Sequence, residues 1–487
     1  MITAYAQASQ PESVQVWVGL YGHATPPPAS LSVGGRTVSS EFAPIHDETR
    51  APDGSALNYR AVLRVDGLAP DTLYRAVVDA AGEQALVQTR TLPARLPAAL
   101  DDSFNILLFS CYSQPEDASG RVDTVVARLP QPIHLTLLMG DQIYGDLPLF
   151  HDFPSDRVAA ARLLGAKYQS NWASVQLGPG GIGRVLARAP VLCVPDDHEY
   201  WNNYPFRQAQ LPVTWTQEGR QAWADAARAL YEDYQLGVLP ARHAQRLDIG
   251  PLKMLALDMR SFRQENLSDL VAAEGVDALR QWAADLEGAR QAGAPAFGLL
   301  CSGQALLVEK KGTWRRYLAD AEMANYRQFD DLIFPVLDDL AGKGIPVIYV
   351  TGDVHWGRVA QAIDVRSQVP MLYEVITSPA SLIRTPMVDR MKEMGGFLKD
   401  LVGAADPWPR HSQAEAVPDR FGTSRHFRPV CDVKSEAGYM HRGDQVAVLS
   451  LSAAGPRLDF KVTYYPVSTD PVVSMPHATR TYQLRND

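Results

Sequence analysis

The chain has 487 residues, 46% of them apolar and 21% charged, and a formal net charge of −9. That length and apolar content can bury a large core, which excludes a disordered chain or a miniature fold stapled by disulfides. The acidic balance argues against a protein that coats nucleic acid. At ~150 residues per domain the length suggests roughly three domain equivalents. Four cysteines (Cys111, Cys193, Cys301 and Cys431) lie far apart with no CxxC pair, so neither a zinc ribbon nor a disulfide framework is indicated. The N-terminus shows no basic region followed by an apolar stretch and no twin arginine, and no 18 apolar residues run together. The expectation is a chain without a transmembrane segment, cytoplasmic as written, or secreted or periplasmic if a leader has been removed.

Along the chain, VQVWVGL (14–20), LNYRAVLRVDGL (57–68) and LYRAVVDA (73–80) alternate apolar and polar residues between Gly, Pro and Asp clusters. This pattern predicts a small antiparallel β-sandwich over 1–95. LPARLPAAL (92–100) reads as the linker to a second unit spanning 100–487. There the texture changes. FNILLFSC (104–111), HLTLLMGD (134–141), APVLCVPDD (189–197), PLKMLALD (251–258), AFGLLCSG (296–303) and IPVIYVTGD (345–353) are near-continuous apolar runs, as expected of buried central strands. Helical patterns lie between several of them, with Trp223, Ala227, Leu230 and Tyr234 on one face of 218–234 and a similar stretch at 276–290. Alternating strands and helices predict a layered α/β domain. Residues 386–445 have few apolar runs and are expected to be a lid or a surface loop. QVAVLSLSA (445–453) and RLDFKVTYYPV (457–467) predict a closing hairpin.

The strand ends are where the chemistry gathers. Cys111, Asp141, Asp196, Asp197, Asp258, Asp353 and His355 directly follow apolar runs, and ligands of open α/β sheets bind beyond the carboxyl ends of strands. An acid after one strand is ordinary turn chemistry. Tyr144 alone would read as a packing residue and Cys111 alone as a small buried hydrophobe. Acids or a thiol after so many strands instead point to a metal site. Carboxylates suit Mg, Mn, Ca or Fe, and imidazole suits Fe or Zn. In GDQIYGD (140–146), Asp141 and Tyr144 can face one metal, and a phenolate is a good ferric ligand. In TGDVHWGR (351–358), Asp353 and His355 can straddle two metals on an extended backbone. Competing motifs fail. A cysteine phosphatase needs Arg six residues after its Cys, where Asp117 stands. HEYWN (198–202) lacks the second zincin histidine. No GxSxG or P-loop lysine motif occurs.

The ordered set FSCYSQ (109–114), MGDQIYGD (139–146), PDDHEYWNN (195–203), LDMRSFR (257–263), LLCSGQALL (299–307) and TGDVHW (351–356) resembles the PhoD-like alkaline phosphatases. These are metallophosphoesterases of the calcineurin-like and purple-acid-phosphatase fold group. The resemblance spans about residues 100–380. It implies a four-layer αββα sandwich, preceded by an immunoglobulin- or fibronectin-like β-sandwich. It also implies a cluster of ferric iron with one or two divalent cations, calcium foremost, with Mn2+, Mg2+ or Zn2+ as alternatives. Under it, Cys111 and Tyr144 would ligate iron, Asp141 would bridge the metals, Asp197 would hold the second and Asp196 an additional calcium. Asp353, His355 and Asn202 or Asn203 would match metal-site positions, the two asparagines also facing substrate, and His198 would contact substrate. The sequence departs from the pattern at Pro195, where the family has Trp, near Trp282, where a Glu-Gln signature is missing, and in lacking a secretion signal.

The expected activity is hydrolysis of a small-molecule phosphomonoester or diester by metal-activated water, with no stable nucleic-acid partner. His198 would protonate the leaving oxygen. Arg260 and Arg263 would clamp non-bridging oxygens, or pair with nearby acids instead. Two alternatives stand beside this reading. One is a phospholipase-D-like or phosphotriester-cleaving enzyme on the same scaffold, which Trp201, Trp215, Trp314 and Trp356 would suit. The other is a non-catalytic binding module with a degenerate site, against which the intact set of candidate ligands speaks.

Overall fold

A computed structural model describes residues 1–148, 153–237, 242–308, 321–353, 355, 357–377, 379–383, 426–432, 444–467 and 478–486. The expected lid over 386–445 lies largely outside these residues, as do Trp314 and Trp356. Within it, the strand Phe427–Asp432 is described.

Among the described residues the architecture is mixed α/β with three sheets. The apolar runs become strands Phe104–Phe109, Leu135–Met139 and Val191–Val194, which lie side by side in parallel at the middle of a ten-stranded sheet. Strands Leu252–Leu257, Phe297–Cys301 and Val347–Thr351 are likewise parallel neighbours in a seven-stranded sheet. These strands are buried almost throughout, which is why they read as unbroken apolar runs rather than alternating ones. Leu108, Leu137, Leu192, Leu299, Ile348 and their neighbours from both sheets form one shared core.

Helices cover the outer sides. Arg157–Trp172 and Gln217–Tyr231 pack Leu164, Tyr168, Trp172, Trp223 and Leu230 into a core with Leu107, Phe109 and Leu138 of the first sheet. Thr216 caps the second of these helices by accepting from Gly219 N–H at 3.0 Å. Ala273–Gln291 and Phe334–Gly342 do the same for the second sheet, through Leu279, Trp282, Leu286 and Leu340. Each buried indole removes roughly 200 Å² of mostly apolar surface from water, on the order of 5 kcal/mol of transfer free energy.

The expected hairpin forms from Gln445–Ala454 and Arg457–Pro466. The first of these strands runs antiparallel to Phe104–Phe109, so the hairpin extends the ten-stranded sheet beyond that strand. The N-terminal strands join the same sheet from the other side. Ile2–Gln10 pairs in parallel with Val191–Val194 at Gln7↔Val191 and antiparallel with Ser13–Tyr21, which pairs with Asn58–Asp66. A four-stranded sheet, containing Ala29–Val33, Arg36–Ser40, Leu73–Ala80 and Glu83–Arg90, shares with these strands a core that includes Val16, Val18, Leu31, Leu63 and Val78. The 92–100 segment is packed rather than free: Leu92 and Leu96 are buried in the inter-sheet core, and Leu96 N–H donates to Gly250 O at 2.8 Å.

After Tyr231 the helix widens into one π turn, Glu232–Leu236. Side chains of the first two strands reach its carbonyls. Trp17 Nε1 donates to Asp233 O at 2.7 Å, Gln7 Nε2 to Gln235 O at 3.4 Å, and the Tyr5 hydroxyl to Tyr234 O. No helix of the described residues is long and apolar enough to cross a membrane.

Candidate metal centre

The parallel strands of both sheets end at one place. Carboxylate oxygens of Asp141, Asp196, Asp197 and Asp353 lie within 4.8 Å of one another, and ligand atoms of Asp141, Asp197 and His198 form an overlapping group within the same distance. Asp141 and the Asp196–Asp197 pair extend the first sheet, and Asp353 extends the second. Close approach of the two sheet edges depends on glycine. A Cβ on Gly303 would stand 2.4 Å from Pro195 O, and one on Gly352 would stand 2.4 Å from Ser110 Cβ. Cys111, Asp141, Asn203, Asp353 and His355 all have positive φ, from +52° to +66°. Each is a left-handed conformation that costs an L-residue energy and persists only where the surroundings hold it, a recurrent property of functional sites.

Cys111 Sγ lies 3.3 Å from Asp141 Oδ2 and 3.7 Å from Asp353 O. Tyr144 is buried, its ring centroid 4.3 Å from that of His198, and among the described residues its hydroxyl has no hydrogen-bond partner. His355 lies on the Asp353 loop at φ +59° without joining either ligand group at that distance. The asparagines contribute backbone: Asn202 N–H donates to Asp146 Oδ2 at 2.9 Å, and Asn203 N–H to Asp197 Oδ2 at 2.6 Å.

The expected arginine clamp meets a different geometry. Arg260 is 1% exposed. Its Nε donates to Asp196 Oδ1 at 2.6 Å and its Nη1 to Tyr204 O at 3.0 Å, and Nη2 lies 3.9 Å from Asp197 Oδ1. Arg263 faces into the protein, donating to Met259 O at 2.9 Å, Ala321 O at 3.3 Å and Gln304 Oε1, with its guanidinium 5.0 Å from the Tyr326 ring. Of the two readings held open for these arginines, the geometry has Arg260 paired with a site acid. Trp201 is buried in the first core, its Nε1 bonded to Phe206 O, while Trp215 is 48% exposed with Arg207 over its ring.

Three groups of the site were not singled out in the sequence. Asp146 Oδ1 lies 2.8 Å from His198 Nδ1. Glu199 is fully buried and accepts from the backbone of both first-sheet loops. Lys167 Nζ donates to the carbonyls of Tyr144, Gly145 and Leu147 at 3.0, 2.7 and 2.6 Å, holding the loop that carries Asp141 and Tyr144. Asp146 and Glu199 sit inside the quoted motifs. Lys167 belongs to a helix with no motif and left no local signal.

Electrostatics follow from crowding acids in a dry place. Burial pushes Asp141 well above the carboxylate range, and Asp197, Asp196 and Glu199 add to this while His198 opposes it. Burial raises Asp196 to about 6 against the pull of Arg260, and Glu199 to about 7 against its hydrogen bonds. Burial alone would lower His198, but the carboxylates of Asp146, Asp197 and Asp141 hold it well above the usual imidazole range. Such a cluster is unfavourable for the protein alone and favourable around a cation. The donor set fits one. Four carboxylates converge, a thiol adjoins, and among the described residues the buried Asp196 Oδ2 and Tyr144 hydroxyl lack hydrogen-bond partners, as metal-ligand atoms would.

Residues 106–298 match the family described as PhoD-like phosphatase. In fold the chain is similar to the solved structure of PhoD, at 14% sequence identity and a TM-score of 0.60, with 100% of this chain and 90% of that chain covered. A weaker likeness, at 9% identity and a TM-score of 0.33, is to GAP50, the anchor in the inner membrane complex of Plasmodium, covering 79% of this chain and 89% of that one. A comparison with curated proteins found no match.

Proposed function

We propose that this chain, which carries a PhoD-like phosphatase domain over residues 106–298, is a metal-dependent hydrolase of small phosphomonoesters or diesters. The observation that carries the reading is the convergence of Asp141, Asp196, Asp197 and Asp353 beside a histidine oriented by Asp146. In this reading the sheets and outer helices form the layer order helix, sheet, sheet, helix, and the strands of residues 1–95 form a β-sandwich against them. Cys111, Asp141 and Tyr144 would hold ferric iron, and Asp197 and Asp353, with Asp196, would hold calcium or another divalent ion. Bound cations supply charge neutralisation for the phosphoryl group and a water of lowered pKa.

The chain's own residues supply the rest. Asp146 fixes the His198 ring through Nδ1, which leaves Nε2 to meet a leaving oxygen, and its carboxylate favours the protonated ring. Proton donation of this kind contributes ~10²–10⁴-fold. The Tyr144 ring packs against the imidazole at a tilt, with centroids 4.3 Å apart. Arg260 neutralises part of the Asp196–Asp197 charge, which limits repulsion of an anionic substrate. Metal analysis of the purified chain, with chromogenic mono-, di- and triesters assayed with and without chelator, tests the reading. Hydrolysis that survives complete metal removal would refute it. A colourless, iron-free protein with full activity would leave a phosphoesterase but remove the ferric assignment to Cys111 and Tyr144.

A further inference from the structure

We infer that Glu199 is a positioning residue that sets the spacing between the two first-sheet loops of the metal centre, an inference that rests on the metal-centre reading above. The strands Leu135–Met139 and Val191–Val194 are paired in parallel only as far as Met139↔Val194. Beyond that pair the ladder stops, and the sheet no longer holds Asp141 at a fixed distance from Asp196 and Asp197. Glu199 takes over where the ladder ends. Its Oε2 accepts from Asp141 N–H at 2.9 Å and from Asp196 N–H at 2.8 Å, and its Oε1 accepts from Gln142 N–H at 2.8 Å.

Capping of the short 3₁₀ turn Asp197–Glu199 explains the bond to Asp196. It does not explain the bonds to Asp141 and Gln142, which belong to the other loop. Among the described residues no Lys, Arg or His forms an ion pair with Glu199. Its buried charge is met by N–H groups, the fourth from Gln235 Nε2 at 3.2 Å. Gln235 lies on the π turn whose carbonyls are held by Tyr5, Gln7 and Trp17. The N-terminal strands therefore buttress the same carboxylate that spaces the ligands.

The test is Glu199→Gln in the full chain. The carboxamide has nearly the same shape, but it turns one acceptor into a donor facing N–H groups and removes the charge. Isothermal titration of metal-stripped protein with Mn2+ should show binding weaker by about 10–100-fold, the range for groups that orient metal ligands. Thermal melting of the metal-free variant separates this from general destabilisation. A role in stability alone lowers the metal-free melting temperature and leaves Mn2+ affinity at the wild-type value, and that result overturns the inference. Should Glu199→Gln not fold, Gln235→Leu carries the test. It removes one neutral donor, about a 3-fold loss of affinity is expected with a native circular dichroism spectrum, and unchanged affinity overturns the inference. A wild-type chain that binds no Mn2+, Ca2+ or iron would overturn the metal-centre reading itself, and this inference with it.

Discussion

His198 Nδ1 and Asp146 Oδ1 lie 2.8 Å apart, and the other oxygen of the same carboxylate accepts the backbone N–H of Asn202. The acid thus holds both the ring and the loop that follows it. Burial would raise Asp146, but the imidazole and these hydrogen bonds hold it below the ordinary carboxylate value. The same pair, with Asp197 and Asp141, raises His198.

Asp146→Asn should therefore lower the pKa of His198. With the histidine as the proposed proton donor, activity is present while it is protonated and lost as pH rises through its pKa. The alkaline limb of kcat/KM against pH should move to lower pH in the variant, and the loss should be greatest with alkyl leaving groups. An unmoved limb with a uniform loss across leaving groups would count against the dyad.

Asp141→Asn should abolish turnover and lower metal content while the fold survives. Asp141 stands in both ligand groups and is raised by burial and by its acidic neighbours against the pull of His198. Neutralising it relieves repulsion in the metal-free state while removing a shared ligand. Circular dichroism, metal analysis and a phosphate-release assay check the three parts, and near-wild-type hydrolysis would contradict the central role of this residue.

Arg260→Met separates two roles for the guanidinium. Its bond to Asp196 is fully buried, so removing the cation leaves an unpaired buried carboxylate, which typically costs about 3–5 kcal/mol. Urea unfolding of the metal-free protein should show that loss, and added metal should recover part of it by taking over Asp196. If Arg260 instead clamps phosphate, stability should hold and KM should rise.

His243 lies between Asp258 at 2.7 Å and Glu232 at 3.3 Å. Burial would lower its pKa, but the two acids raise it to about 9. A histidine raised in the folded state contributes its full stability below about pH 6.5 and loses it as pH rises through about 9. The shift corresponds to on the order of 3 kcal/mol. His243→Gln should thus be least stable relative to wild type near pH 6, with the gap closing by pH 10 in urea titrations. A gap that is constant with pH would show that the ring acts through packing alone.

The site was legible in the sequence to the extent that its chemistry follows directly after an apolar run. Asp141, Asp196, Asp197 and Asp353 could be singled out because buried strands leave a continuous apolar signal, and a polar residue that ends such a run stands out. Glu199 carried the same chemistry in the same motif, yet the structure turns its side chain to backbone N–H groups at the next strand. Which of two acids a few residues apart faces a ligand is decided by rotation about one 3₁₀ turn, for which residue type gives no signal. Charge and position left Arg263 open between clamping phosphate and pairing with nearby acids, and its bonds to Met259, Ala321 and Gln304 come from parts of the chain whose proximity the sequence does not show.

The same division holds for the fold. Periodicity and residue type were enough for the parallel central strands, for both long amphipathic helices and for the convergence of acids at strand ends, because those signals lie within a few residues of chain. Sequence proximity carries no information about the edge pairing of Gln7 with Val191, which draws the N-terminal strands into the sheet of the metal centre. Nor does it reveal the bonds from Tyr5, Gln7 and Trp17 to the π turn beside Gln235. These contacts join residues more than 180 positions apart. They form because unpaired strand edges and widened helix turns leave backbone groups that must be satisfied somewhere in the folded molecule.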